Sequence, residues 1–162
     1  GGTDVTILAN QWFLWLLLTV FLYIALALLV PVNKIRAYLP YGILLGFGQA
    51  LLVIWAFQFV LGHWQLAGDP VLWGFTTVFT PLAWIPPTII FAAYFPKHKH
   101  WYSITGYIVL FALGAVVAQF LLEQLGMWHS LRWNLLSTGL LASGTHTLLT
   151  IALLSTKARV RT

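Results

Sequence analysis

The side chains able to do chemistry are few, and they fall into three sets. The first is His63, Asp69, Gln119, Glu123, His129 and Arg132, all in or beside the segments that join apolar runs. Gln119 and Glu123 are four apart and share one face of any helix that holds them, with Ala112 and Ala115 below. A carboxylate at the edge of an apolar run wants a cation, and Arg132 is the nearest base that follows, so a Glu123–Arg132 pair is expected. The competing reading is acid–base work on a lipid, with Glu123 as base and His63 or His129 as partner, which requires hydrogen-bond reach between them. His63, Asp69, Glu123 and His129 are chemically able to bind zinc, but no pair has the i, i+4 or short-loop spacing of a zinc site, so no metal is expected. An outward pocket for a lipid headgroup or small molecule, rimmed by Trp64, Trp73, Trp128 and Trp133, is a further reading. An ordinary interfacial belt supplies the same tryptophans.

The second set, Gln49, Thr77, Thr80, Ser143 and His146, lies within the apolar runs. His146 falls near the middle of its run, where an ionisable group suits a proton relay or a ligand contact. A neutral His146 hydrogen-bonded to Gln49 or a threonine is the structural alternative and is preferred. A bis-histidine haem needs a second His at matching depth, and the other four lie outside the middle of any run, so no cofactor is expected. The third set is cationic: Lys34, Arg36, Lys97 and Lys99, the last two within Lys97-His98-Lys99-His100. These suit contact with anionic lipid headgroups, each cation contributing about 1 kcal/mol. The chain has no Cys, which removes disulfides, thiolate metal sites and thiol catalysis. With no nucleophile–base pair and no phosphate loop, no catalytic residue is assigned.

The elements that must hold these groups are read from composition. Of 162 residues, 60% are hydrophobic and 7% charged, too few charges to coat a water-soluble globule. The reading is an all-α polytopic membrane protein. Apolar runs at about residues 12–30, 42–62, 71–94, 103–122 and 134–155 predict a single bundle of five spans with short connections. The leader Gly1 to Gln11 contains Asp4 and no base, and the first run exceeds a signal-peptide core, so it is expected to be retained as a helix. Lys34 and Arg36, Lys97 and Lys99, and Lys157, Arg159 and Arg161 fall on one side of that arrangement, with Arg132 alone opposite. Because cytoplasmic segments retain positive charge, the N-terminus is expected outside and the C-terminus inside. The net charge of +5 is then an orientation signal rather than a sign of nucleic acid, which is not an expected partner.

Two features concern packing. Pro81, Pro86 and Pro87 oppose the carbonyls of Thr77, Leu82 and Ala83, so the third run is expected to be kinked or broken, with those carbonyls covered by hydroxyls, waters or neighbouring helices. Thr77, Thr80, Pro81, Trp84 and Thr88 share one helical face, which lines a substrate or ion path or simply packs; the packing reading is preferred. Gly139, Ser143, His146 and Thr150, and separately Gly42 and Gly46 with Gln49, form small-residue seams.

The segments Val30-Pro31-Val32-Asn33-Lys34-Ile35-Arg36, Tyr94-Phe95-Pro96-Lys97 and Leu122-Glu123-Gln124 leading to Trp128 and Trp133 resemble the small multi-helix membrane proteins of uncharacterised function of spore-forming Bacillus- and Clostridium-type bacteria. The resemblance implies a bacterial cytoplasmic membrane and brings no activity. Members of that family usually carry more charge and an acidic group in the second span, where this chain has Gln49 and Gln58. The leading expectation is a non-enzymatic membrane protein, either an accessory subunit that associates with itself or other subunits or a bundle that binds membrane lipids. The alternatives are a small oligomeric transporter or channel using the third run and His146, and a lipid-modifying enzyme using Glu123.

Overall fold

The computed structural model describes residues 3–98 and 100–159, with side chains for 12–98 and 100–156. Five helices dominate, and the all-α reading holds apart from two short strand pairs. Four helices are long and apolar enough to cross a membrane. The helices are α1 (Thr3–Leu29), α2 (Val32–Val60), α3 (Phe79–Ala93), α4 (Trp101–Gln124) and α5 (Leu135–Arg159). The strands are β1 (Trp64–Leu66), β2 (Val71–Leu72), β3 (Thr76–Thr77) and β4 (Trp128–Ser130). They form two compact units, Gly1–Tyr94 with Glu123–Arg132, and Phe95–Leu122 with Trp133–Thr162.

The first unit is built around α3, the shortest of the five helices and the most enclosed. Nine of its residues are buried, among them Thr80, Ile85, Thr88, Ile89 and Phe91. It packs against α1 and the glycine-bearing turn of α2. The predicted run 71–94 is therefore corrected: helix occupies only its second part, and residues 71–77 form the β2–β3 hairpin. The local sequence explains why. Val71 through Thr77 is rich in β-branched and aromatic residues, and the reversal is made by Trp73 at φ 53° and Gly74 at φ +72°, a conformation only glycine adopts without strain. Thr77 thus belongs to a strand and not to the helical face that carries Thr80, Pro81, Trp84 and Thr88.

Two of the carbonyls opposed by proline have side-chain partners, one of them from another element. The Tyr23 hydroxyl on α1 donates to Leu82 O (2.9 Å), the carbonyl that Pro86 leaves without an amide, and Thr76 Oγ1 donates to Thr77 O (3.1 Å) below Pro81. Thr88 Oγ1 bonds Trp84 O (2.8 Å). The same α1 is tied at two other heights, by Trp15 Nε1 to Ala67 O (2.7 Å) and by the Tyr94 hydroxyl to Leu29 O. Three aromatic donors spaced along the contact thus hold α1 to its neighbours.

Helix α2 begins ten residues before the predicted 42–62 run and is not uniform. Gly42–Phe47 and Trp55–Val60 are π-helical turns, seen in Gly48 N–H donating to Ile43 O and Leu61 N–H to Ala56 O (2.9 Å), each five residues back. Gly42 and Gly46 lie directly on α3. A Cβ on Gly42 would come within 2.7 Å of Ile89 Cγ1, and one on Gly46 within 2.8 Å of Thr88 Oγ1 and 3.1 Å of Trp84 O.

In the second unit Asn134 caps α5, its Oδ1 accepting from Ser137 N (2.8 Å) and Ser137 Oγ (2.9 Å). The Thr138 hydroxyl donates to Gln119 Oε1 and accepts from Trp133 Nε1 (2.6 Å). Rings of Phe95, Tyr107, Phe111 and His146 follow one another at centroid separations of 5.9, 5.0 and 5.5 Å. Gly139 approaches Val116 less tightly than the α2 glycines approach α3, at 3.4 Å to an added Cβ.

The two seams are therefore expected to respond differently. Gly46→Ala meets backbone and should destabilise by about 1–3 kcal/mol, whereas Gly139→Ala should stay within about 0.5 kcal/mol of the parent. Denaturant titration of the purified protein in detergent distinguishes them, and equal losses would contradict this packing.

Candidate functional site

Asp69 is the most buried of the candidate acidic groups, at 3% exposure. Its Oδ1 accepts from the amides of Val78 (3.1 Å) and Phe79 (2.8 Å), and its Oδ2 from the amide (2.9 Å) and hydroxyl (2.6 Å) of Thr80. These are the first amides of α3, which have no partner inside the helix, and the helix dipole further favours an anion there. Asp69 is thus a cap supplied from across the hairpin. Its acceptor capacity is occupied by the fold.

The other members of the first set sit around the β1–β4 pair, in which Trp64, Gln65 and Leu66 face Ser130, His129 and Trp128. The backbone carbonyl of His63 accepts from the amides of Leu131 (3.0 Å) and Arg132 (2.9 Å). Glu123 Oε1 accepts from Ser130 Oγ (2.6 Å), which in turn accepts from Trp128 Nε1 (3.0 Å). Trp64 is buried, stacked on Phe57 at 5.4 Å and against Trp128 at 4.9 Å, so it packs the interior rather than rimming a pocket. Gln119 is engaged in the second unit with Thr138. Among the described residues no group of three or more His, Asp or Glu is placed to share a metal ion.

The second set also separates by unit. On α5 the polar groups turn back on their own helix: Ser143 Oγ to Gly139 O (2.8 Å), Thr147 Oγ1 to Ser143 O (2.7 Å), Thr150 Oγ1 to His146 O (2.8 Å), and His146 Nδ1 to Ala142 O (2.7 Å). The preferred partners of His146, Gln49 or a threonine, are replaced in that bond by a carbonyl one turn away. In the first unit Thr80 belongs to the Asp69 cap. Gln49 Oε1 and Thr77 Oγ1 are different, since both atoms are buried without a hydrogen-bond partner among the described residues. Their elements, the middle of α2 and strand β3, pack against each other.

A groove of ≈ 360 Å³ is lined by Gly48, Leu51, Leu52, Trp55 and Phe75. Sequence spacing alone does not single it out. Gly48, Leu51, Leu52 and Trp55 recur at helical spacing and form one face, but Phe75 joins them only because residues 71–77 turn back as a hairpin. Ser130, Tyr23 and Trp15 are likewise silent in the sequence, as isolated polar atoms in aromatic or loop residues carry no spacing signal. Of the cationic set, Lys34, Arg36 and Lys97 are exposed, and Lys99 lies outside the described residues. Next to it in sequence, His100 stacks on Tyr102 at 5.2 Å.

No protein-family model, curated protein or solved structure matches the chain.

Removing the cap should be costly. Asp69→Ala leaves the amides of Phe79 and Thr80 and a buried hydroxyl without that acceptor, while Val78 keeps Pro70 O, and should destabilise by on the order of 3 kcal/mol. Glu123→Ala, which removes a carboxylate at the loop surface, should cost about 1 kcal/mol. Melting of the two variants in one detergent checks the ranking, and a Glu123 variant less stable than the Asp69 variant would contradict it.

Proposed function

We propose that this chain is a non-enzymatic integral membrane protein of a bacterial cytoplasmic membrane, crossing it five times with its N-terminus outside, and that it works by association as a subunit of a larger membrane assembly. The observation that carries this reading is how the chemistry-bearing side chains are used. The Asp69 carboxylate caps a helix, Glu123 accepts from Ser130, Gln119 accepts from Thr138, and His146 bonds its own helix. Each of these groups builds the fold.

What the helices offer outward is close approach. An added Cβ would meet nothing within 4 Å at Gly106 and Gly114 on α4 or at Gly144 on α5. Glycine exposed on a membrane helix lets a second helix come near enough for backbone contact, and small-residue packing drives helix association in lipid. The exposed Leu110, Leu113, Val117, Leu140, Leu148 and Ile151 around these positions provide the apolar surface that such a contact would cover.

The fifth crossing is assigned to α3. Its 15 residues rise about 22 Å against roughly 30 Å of hydrocarbon. The Asp69 cap and the hairpin before it supply the remaining depth with their amides already bonded. Only if α3 crosses do Lys34, Arg36 and Lys97 lie on the same side, as the distribution of basic residues favours.

Native mass spectrometry from mild detergent tests the association. The parent is expected to travel with a second chain, itself or another subunit, and Gly114→Leu with Gly144→Leu should weaken that complex about tenfold while leaving the melting temperature within about 2 °C. A parent that is monomeric across a detergent series, or a complex indifferent to both substitutions, would remove the proposal.

A further inference from the structure

We infer that the tip of the β2–β3 hairpin, Val71 to Phe75, is an anchor that inserts into the outer leaflet where acyl chains meet their ester groups, with Trp73 as its point of hold. The inference rests on the reading that α3 crosses the membrane, and it gives the hairpin the task of fixing the height of that short helix. It shares no residue with the associating surface proposed on α4 and α5.

The local geometry shows first that Trp73 does not serve the turn. Phe75 N–H donates to Leu72 O (3.4 Å), and φ is 53° at Trp73 and 72° at Gly74. Positive φ at both central positions is the type I′ pattern, whose preferred sequence is Asn-Gly. Gly74 fits it. A bulky side chain at the first position does not, because its Cβ crowds the following carbonyl oxygen in the left-handed region. Trp73 is the one non-glycine residue at positive φ among the described residues, so the chain keeps an indole where the backbone favours another side chain. An interaction outside the turn must offset that strain.

The second observation is what the hairpin presents to its surroundings. Strand β3 is buried, with Thr76 at 3% and Thr77 at 1% exposure, whereas Val71, Leu72, Trp73 and Phe75 are all exposed, Trp73 at 81%. A Cβ on Gly74 would meet nothing within 4 Å, so the tip stands clear of the chain. The Trp73 and Phe75 rings stack at 6.2 Å and hold the aromatic surface out as one piece. Residues 70–96 contain no charged side chain. The segment therefore supplies none of the polar rim that surrounds a contact between proteins.

The third is depth and continuity with a lipid-facing helix. Phe75 shares a groove with Leu51, Leu52 and Trp55, which lie five to nine residues before the end of α2 at Val60, or about 8–14 Å along the helix. Leu52 and Trp55 are themselves exposed, as are Leu44 and Val60 on the same helix. In a membrane such side chains are covered by acyl chains, and Phe75 and Trp73 continue that surface. The tip thus lies in lipid just below the end of α2, where an indole sets its ring against acyl chains and its N–H toward ester carbonyls. Strand β3 ends at Thr77 and α3 starts at Phe79, whose amide bonds Asp69 on the other side of the hairpin. Holding the tip therefore holds the start of α3.

The test uses the full chain in liposomes with one introduced cysteine, Leu72→Cys, carrying an NBD fluorophore. Quenching is compared between lipids bearing a nitroxide near the ester end of the acyl chain and cobalt ions in the aqueous phase. The shallow nitroxide is expected to quench at least about threefold more than the aqueous ion does. Adding Trp73→Asn, which suits the turn and removes the ring, should lower lipid quenching and raise aqueous quenching about twofold each, while the melting temperature in detergent stays level or rises. Trp73→Tyr, a ring that also suits the interface, should retain the lipid quenching. A parent label reached by the aqueous ion, a label reached by neither quencher and so covered by a second chain, or quenching unchanged by Trp73→Asn would each overturn the proposal. A Trp73→Asn variant that melts lower in detergent would also overturn it, because the indole would then serve the fold. Labelling of Gln65→Cys in sealed cells separates two kinds of failure. Reaction from outside together with a tip that lipid does not quench removes the anchor alone, whereas no reaction from outside removes the crossing on which the anchor rests.

Discussion

The carboxylate of Asp69 is the point on which the first unit turns. A helix of 15 residues has four amides at its start with no partner of its own, and in an apolar setting each must be satisfied. Asp69 meets three of these needs, counting the amide just before the helix, and adds the Thr80 hydroxyl. Because it does so from nine to eleven residues upstream, the cap also closes the hairpin between them. With that start fixed, Pro86 falls where Tyr23 can cover the carbonyl it frees, and Pro81 sits in the first turn, where no intrahelical bond is lost. Gly42 and Gly46 then meet Ile89 and Thr88 at distances no side chain would allow. Helix amides and a hydroxyl surround the buried carboxylate.

The two units solve the polar problem in lipid differently. In the first, polar side chains reach between elements: Trp15 to Ala67, Tyr23 to Leu82, Asp69 to the start of α3. In the second, hydroxyls and the imidazole of α5 bond backward one turn along their own helix, while Thr138 with Gln119 and Trp133 ties the pair at one end and the Phe111 and His146 rings meet farther along. A helix that satisfies its polar groups internally has no need of a fixed neighbour. This is the physical ground for placing the structural core in the first unit and the proposed associating surface on α4 and α5.

Much of this is legible in the residues. The apolar runs locate all five helices, and Gly42 with Gly46 announces a close contact that α3 makes good. The positions of the prolines also announce which carbonyls need donors. What spacing does not disclose is where a run changes from strand to helix. Residues 71–94 are apolar throughout, so run length cannot separate a hairpin from a span, and the helical wheel that holds Thr77 with Thr80 fails for that reason. The mate of a lone polar atom is equally silent: Ser130 beside Glu123 and Ala142 beside His146 are set by tertiary register and helix self-bonding. The groove needs both, since Phe75 reaches α2 only after the hairpin is formed.

In the proposed topology a capped, short α3 crosses the membrane because the hairpin completes its depth. With no native cysteine, single Cys substitutions at Gln65 and Lys97, on either side of α3, can be labelled in sealed cells with a membrane-impermeant maleimide. This topology predicts that Gln65→Cys reacts from outside and Lys97→Cys reacts only after permeabilisation. Reaction of both from the same side would contradict it.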